Sequence, residues 1–467
     1  MVTRVSAARL TGLLGSRDDG RPAYQWLADE VIGLVGDGRL LHGARLPSER
    51  DLVSALGLSR TTVTRAYGQI RERGFAEARH GSGTLVQVPG GVVRGGGEPL
   101  PHNLDLAPED TVADLRSASP PAPTGLTAAY AEGLARLPSL TGGMGYFPFG
   151  LPELQEVIAD RYTERGAPTT PDQIVVTTGA LSALVAVLHG LLRIGDRVAI
   201  ETPSYPNSLE MMRDSRMRMI PAPISSDGAD LEGVEQALRH GPRAMLALPD
   251  FHNPTGVYLD DEERARLAHL WQQYDVLGIV DETNAEMWLD VPAPALPMAA
   301  HSPRCITVGS AAKTYWGGLR VGWARVPVPM VQAVRHARLC LDLGAAVLEQ
   351  LVLVELMRVN GSLCENSRST LRESRQVMLG LQAELPDWQV VCPRGGLGLW
   401  WRLPRPRSSA LVAAAQRRGV LLASGSSFAV EGRGLETYVR TPYALYADRL
   451  RPTVPLIAEA WREVAGE

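Results

Sequence analysis

Lysine is nearly missing from this chain. Of 47 basic residues among 467, 46 are arginine, and the single lysine is Lys313. Such a bias removes lysine wherever a cation only has to be soluble or to pair with a carboxylate. It spares a lysine whose primary amine must form an imine, because a guanidinium cannot do that chemistry. Cysteine is scarce as well. The four (Cys305, Cys340, Cys364, Cys392) follow neither metal-ligand nor disulfide spacing, so they read as buried thiols of a reducing compartment. No apolar run nears the ~20 residues that span a bilayer. The opening MVTRVSAARLTGLLGS holds a short apolar patch but no secretory core and cleavage site. There is no short-period repeat. These absences argue against a membrane protein, a disulfide scaffold and a metal centre, and place the expected location in the cytoplasm.

What is present is average for a folded protein: 45% hydrophobic, 21% charged, net charge −4. The length suits about three domain-sized units. Charge is unevenly spread. Between Arg39 and His80 stand eight arginines against four acidic residues, the footprint of a small DNA-binding unit; a solvated charged face would give the same count. Residues 89–103 (PGGVVRGGGEPLPHN) have no apolar period and are rich in Gly and Pro, so they read as a flexible linker reaching at most roughly 50 Å. The linker separates a tail at 1–21 and a small unit at 22–88 from a large unit at 104–467. In the large unit, β-branched runs (Ile174–Thr177, Arg197–Ile200, Ala244–Leu248, Val276–Val280, Cys305–Gly309) alternate with helical stretches such as Leu181–Leu192 and Asp261–Tyr274. The alternation predicts an α/β fold with a mostly parallel sheet flanked by helices.

In the small unit, LPSERDLVSALGLSRTTVTRAYGQIRERGF reads as two helices and a tight turn. Ser48 caps the first in capping-box fashion with Asp51, and Gly57 suits the left-handed residue that ends it. Ser59 caps the second, in which Val63, Ala66, Tyr67 and Ile70 form the buried stripe. Arg60, Thr61, Thr64 and Arg65 are left on the exposed first turns, where recognition helices carry base-reading side chains. EARHGSGTLVQV then reads as strand, turn and strand, a wing. An ordinary helical hairpin with a β-hairpin attached is the plainer alternative.

Four features of the large unit converge on a phosphate-bearing pyridine aldehyde. TTGALSAL places Gly179 and Ala180 at a strand-to-helix junction whose backbone N–H groups can hold a phosphate; many such turns bind nothing. PDFHNPTG ends a predicted strand with Asn253, which can donate to a ring oxygen or simply turn the chain. VDET sets Asp281 at the carboxyl end of an apolar strand, where ligands of open α/β sheets bind. There it can pair with a pyridinium nitrogen or cap a helix. GSAAKTYWGGLRVGW carries Lys313 with Ser310 three residues before and Arg320 seven after; the amine supplies the imine while Ser310 and Arg320 clamp the phosphate.

LPSERDL, GLSRTTV and HGSGTLV, in that order, resemble the GntR-type winged helix. The resemblance implies operator contacts from Arg50, Arg60, Thr61, Thr62, His80 and Gly81; a further family contact arginine falls on Thr64, with Arg65 beside it. From about Asn103 onward the chain resembles the fold-type I aminotransferases, which bind pyridoxal 5'-phosphate and add a smaller C-terminal α/β subdomain. That resemblance implies that Lys313 forms the Schiff base, that Tyr205 (TPSYPN) flanks the ring and that Arg440 (YVRTPY) grips a ligand carboxylate. It also implies that Tyr146 (GYFPFGLPEL) reaches the phosphate of a neighbouring subunit. Two positions depart from it: Asn284 replaces a tyrosine and Ala312 a serine. Together the halves resemble the MocR family of regulators, GabR-like and closest to the YczR-like branch. This implies a head-to-tail, domain-swapped homodimer that binds double-stranded operator DNA and senses pyridoxal 5'-phosphate, a small amino compound or both through an imine at Lys313, with the aminotransferase-like unit serving as sensor rather than enzyme. The alternatives are a working aminotransferase with a vestigial winged helix, and a ligand-free architectural DNA-binding protein. The second leaves the place of the only lysine unexplained.

Overall fold

The computed structural model describes residues 4–14, 17, 20–36, 40, 43–79, 83–87, 111–123, 125–225, 228–290, 295–359 and 362–466. The expected linker at 89–103 and the expected contacts His80 and Gly81 lie outside the described residues. The N-terminal unit, or head, holds helices α1 (Ala7–Leu13), α2 (Ala23–Gly36), α3 (Glu49–Leu56) and α4 (Arg60–Glu72), then the antiparallel strands β1 (Ala76–Arg79) and β2 (Gly83–Val86). Local chemistry sets these boundaries. Ser48 Oγ accepts from the Asp51 N–H at 3.1 Å, and Ser59 Oγ accepts from Thr62 N–H at 3.1 Å. Gly57 closes α3 at φ 65°, a conformation glycine adopts without steric cost. Val63, Ala66, Tyr67 and Ile70 are buried against Trp26, Leu27 and Val31 of α2, and Tyr67 Oη donates to the Pro47 carbonyl at 2.8 Å.

The region expected only as a tail contributes α1. Ser6 caps it, Leu10 is fully buried, and Arg9 reaches across to the large unit. Its guanidinium donates to Asp230 Oδ2 at 2.6 Å and to Gln236 Oε1 at 2.8 Å, seating the head on the helix Leu231–Leu238.

In the large unit the short strand β3 (Ala113–Asp114) comes first. An eight-stranded sheet follows, built from β4 (Ile174–Thr177), β5 (Arg197–Thr202), β6 (Arg218–Ser225), β7 (Gly228–Ala229), β8 (Ala244–Ala247), β9 (Leu277–Asp281), β10 (Ile306–Ser310) and β11 (Gly322–Arg325). Its order is β4-β11-β10-β9-β8-β5-β6-β7. All pairings are parallel except those of β11 and of β7. The five runs read from the sequence are strands within two residues of their expected bounds.

Alternate residues of each strand enter different cores. Ile174, Val176, Ala199, Met245 and Val280 pack on one face; Val175, Val198, Ile200, Leu246 and Ile279 pack on the other. Burial on both sides is why these strands read as continuous apolar runs. The antiparallel β11 went unread. Only the short stretch from Ala311 to Val321 joins it to β10, too little for the crossover a parallel neighbour needs.

The C-terminal subdomain contains β12 (Gly398–Arg402), β13 (Val420–Leu421), β14 (Ala423–Ser424) and β15 (Tyr438–Pro442), with the antiparallel order β12-β15-β14. Trp388, Trp401 and Trp461 fill its core. β3 crosses to this subdomain and pairs in parallel with β13, Ala113 facing Val420.

Candidate functional site

A cavity of about 390 Å³ opens at the carboxyl ends of β9 and β10. Ala180, Tyr205, Asn253, Asp281, Ser310, Lys313, Arg320 and Arg440 all line it.

One end is made by two turns pressed together. β4 gives way at Gly179, φ 127°, to the helix Ala180–Leu191. A Cβ on Gly179 would stand 2.9 Å from Arg320 Nη2, so only glycine lets the guanidinium approach. Arg320 donates to the Thr178 carbonyl at 3.1 Å from a left-handed backbone, φ 49°. Gly322 repeats the demand, since a Cβ there would lie 2.5 Å from the carbonyl carbon of Gly179. Ser310 Oγ caps the single turn Ala311–Thr314, accepting from Ala312 N–H at 3.1 Å. Its hydroxyl hydrogen remains available to a ligand oxygen. Helix-start N–H groups, a hydroxyl and a guanidinium make an anion cradle.

That same turn carries Lys313, whose Nζ donates to the Ala118 carbonyl at 2.6 Å. Loss of solvent, with the Arg440 and Arg320 charges, brings its ammonium down to about 8; Asp281 opposes the shift. Asp281, at the end of β9, is pushed up from the usual carboxylate range by burial, against a 2.9 Å bond from Thr283 N–H and the Lys313 charge. A cationic ring nitrogen beside it would restore its ionised form. Arg440 lies in the middle of β15, 2% exposed, over the Phe428 ring. It donates to Asn253 Oδ1 at 3.2 Å and to the Arg116 carbonyl, and burial lowers it to about 10. No carboxylate pairs with it among the described residues, so it is not a surface ion pair.

Tyr146 is 61% exposed and does not line the cavity of its own chain. Asn284 does line it, with its Nδ2 donating to the Phe251 carbonyl at 3.0 Å. Two groups of site residues were not foreseen. One is the segment Asp114–Ala118. The other lies beneath the Asn253 turn, where His252 Nδ1 meets Thr255 Oγ1 at 2.9 Å and Nε2 stands 3.4 Å from Glu201 Oε2. Burial lifts Glu201 to about 8 and depresses His252 to about 3, so both are neutral at pH 7. His252 sits inside the motif PDFHNPTG; its partner is far away in sequence.

On the head, Arg50, Arg60 and Thr61 are exposed, and neither arginine has an ion-pair partner among the described residues. Thr62 is half-buried, its hydroxyl 2.8 Å from Ser59 Oγ. Arg65 lies 3.7 Å from the Tyr24 ring centroid, and Thr64 Oγ1 donates to Glu49 Oε2 at 2.5 Å. The last bond fixes the start of α3 against the second turn of α4.

Residues 127–446 match the family aminotransferase class I and II, and residues 23–86 match the bacterial regulatory proteins, gntR family. The chain is 28% identical to the HTH-type transcriptional regulator YdcR of Escherichia coli, over 87% of this chain and 92% of the relative. It is 27% identical to the HTH-type pyridoxine biosynthesis transcriptional regulator PdxR of Corynebacterium glutamicum, over 84% and 85%. Among solved structures it resembles LysN, an α-aminoadipate aminotransferase of Thermus thermophilus complexed with N-(5'-phosphopyridoxyl)-L-leucine. The TM-score is 0.70 at 26% identity, covering 77% of this chain and 94% of that one.

Proposed function

Because the chain belongs to the aminotransferase class I and II family and carries a gntR-type module ahead of it, as MocR-family regulators do, we propose that it regulates transcription by coupling operator DNA to a small amino compound. One observation carries the reading: a single chain joins a cavity centred on its only lysine to a recognition helix led by an exposed arginine.

Pyridoxal 5'-phosphate is the cofactor of this fold, and the donor set suits it. The Gly179–Ala180 helix start, Ser310 and Arg320 would hold the phosphate, in a cradle that a Cβ at Gly179 would fill. Asp281 would face the ring nitrogen, Asn253 Nδ2 the ring oxygen, and Tyr205 a ring face. The bound cofactor supplies an electrophilic carbonyl carbon and an electron-withdrawing ring. Lys313 provides the amine that holds it, and Arg440 would take a ligand carboxylate. Tyr146 would serve the phosphate of a second, domain-swapped subunit; its exposure beside the exposed Met144 supports that role. Action on operator DNA would call for a cytoplasmic protein.

Footprints on the upstream DNA of its own gene test the reading. They should change when the cofactor-loaded protein meets an amino compound that also shifts its visible spectrum. Footprints indifferent to every such compound, together with rapid release of a keto acid, would instead favour a working aminotransferase.

Two results are expected from the geometry. Cofactor attachment should speed up through about pH 8 and level off above it, because only the deprotonated amine is nucleophilic and Lys313 sits near 8. Stopped-flow absorbance from pH 6 to 10 checks this; a rate still climbing towards the ordinary lysine value of 10.5 contradicts it. Arg60→Ala should weaken specific operator binding by roughly 1–3 kcal/mol if the guanidinium reads a base edge. Equal loss on operator and random DNA would make Arg60 a phosphate contact.

A further inference from the structure

The chain carries its own occupant of the Arg440 seat. β3 is only two residues long, yet it is pinned to the C-terminal subdomain. Val112 N–H donates to the Gly419 carbonyl at 2.9 Å and Leu115 N–H to the Leu421 carbonyl at 2.8 Å. Leu115 is fully buried in that subdomain's core. Past Leu115 the chain folds back on Asp114. Asp114 Oδ1 accepts from Arg116 N–H and Nε, each at 3.0 Å, and Oδ2 accepts from Nη2 at 2.7 Å. The turn aims two carbonyls into the cavity: that of Arg116 at Arg440 and that of Ala118 at Lys313.

Arg440 is the weak point of this arrangement. It is a cation with almost no solvent, and its acceptors among the described residues are a backbone carbonyl and the Asn253 amide oxygen, both neutral. Its Nε is buried without a partner. An ionised acceptor makes roughly twice as strong a bond as a neutral one, and a guanidinium takes a carboxylate through two bonds at once. A carboxylate therefore outcompetes the Arg116 carbonyl.

We infer that Asp114–Ala118 is a strap occupying the carboxylate seat on Arg440, and that a carboxylate-bearing ligand displaces it. The inference rests on the sensor reading above for the identity of the seat. The strap's place in the chain gives displacement a consequence. Between the head, described as far as Gln87, and the strap lie residues 88–113, of which Val112 and Ala113 are pinned to the C-terminal subdomain, so the strap adjoins the contacts that hold the segment leading back to the DNA reader. A ligand that frees the strap changes where that segment is held. Occupancy of the cavity is thereby felt at the head without any shift of the eight-stranded sheet.

Hydrogen exchange on the full chain loaded with pyridoxal 5'-phosphate tests this, followed at the amides of Val112, Ala113 and Leu115. Arg440→Ala should raise their exchange about tenfold, the loss of one hydrogen bond to a charged group. Asp114→Asn, a half-buried site whose change spares both cores, should raise it in the same direction by loosening the turn. Wild-type rates in both variants overturn the strap. L-alanine should speed exchange in the wild type, and methylamine, which lacks a carboxylate, should not. Equal rates with the two compounds overturn displacement. Footprints decide the other matter separately: a strap displaced by L-alanine over an operator footprint that never changes keeps this inference and sinks the regulatory reading.

Discussion

Lys313→Ala protein, incubated with pyridoxal 5'-phosphate and freed of unbound cofactor, is expected to show no imine band from the cavity and no borohydride-reducible attachment at position 313. No other side chain of this sequence has a primary amine, and the arginines lining the cavity, Arg320 and Arg440, cannot substitute because a guanidinium neither deprotonates near neutral pH nor condenses with an aldehyde. Lys313→Arg separates chemistry from charge. It keeps a cation near Asp281 and should lose the band just as fully. Operator binding without ligand should survive in both variants, since the head has its own core around Trp26, Leu27 and Tyr67. A band that persists in either variant removes Lys313 from its assigned role.

Arg440→Ala should keep the cofactor band while affinity for amino-acid ligands falls by about 2–5 kcal/mol, roughly 30- to 5,000-fold, the usual cost of truncating one side of a buried charged pair. The expected size follows from burial: at 2% exposure no water replaces the guanidinium as a carboxylate partner. Spectral titration with L-alanine measures it. Arg440→Lys should recover part of the loss, because charge returns without the planar fork. The footprint of Arg440→Ala should no longer respond to L-alanine. Unchanged affinity would show that the carboxylate binds elsewhere.

The parts of the fold visible in the sequence are those with local causes. Ser48, Gly57 and Ser59 act on backbone within three or four residues, so α3 and α4 could be placed from spacing alone. The strands around Val176, Ala199 and Val280 announced themselves because both sheet faces are buried. The cavity residues were legible for another reason: Asp281 and Ser310 stand at the ends of strands, and Asn253, Lys313 and Arg440 lie inside short runs of unusual composition. What escaped depends on partners distant in sequence. Arg9 is a helix residue until Asp230 arrives beside it. Arg116 shows no role until β3 pairs with β13 and turns its carbonyl towards Arg440. Glu201 ends an ordinary strand, and only the fold sets it against His252. Arg65 and Thr64 are exposed on the recognition helix, as Arg60 and Thr61 are, but their contacts with Tyr24 and Glu49 could be seen only in the fold.

The inward aim of the Lys313 amine has a further consequence. Acetyl and succinyl donors, and the enzymes that attach ubiquitin-like tags, act on ε-amino groups at a protein's outer face. This molecule offers none there. Any acyl group that reached its lysine would first have to pass through the cavity and would then compete with the cofactor itself. Acylation of lysine and attachment of the cofactor therefore draw on one and the same nitrogen atom.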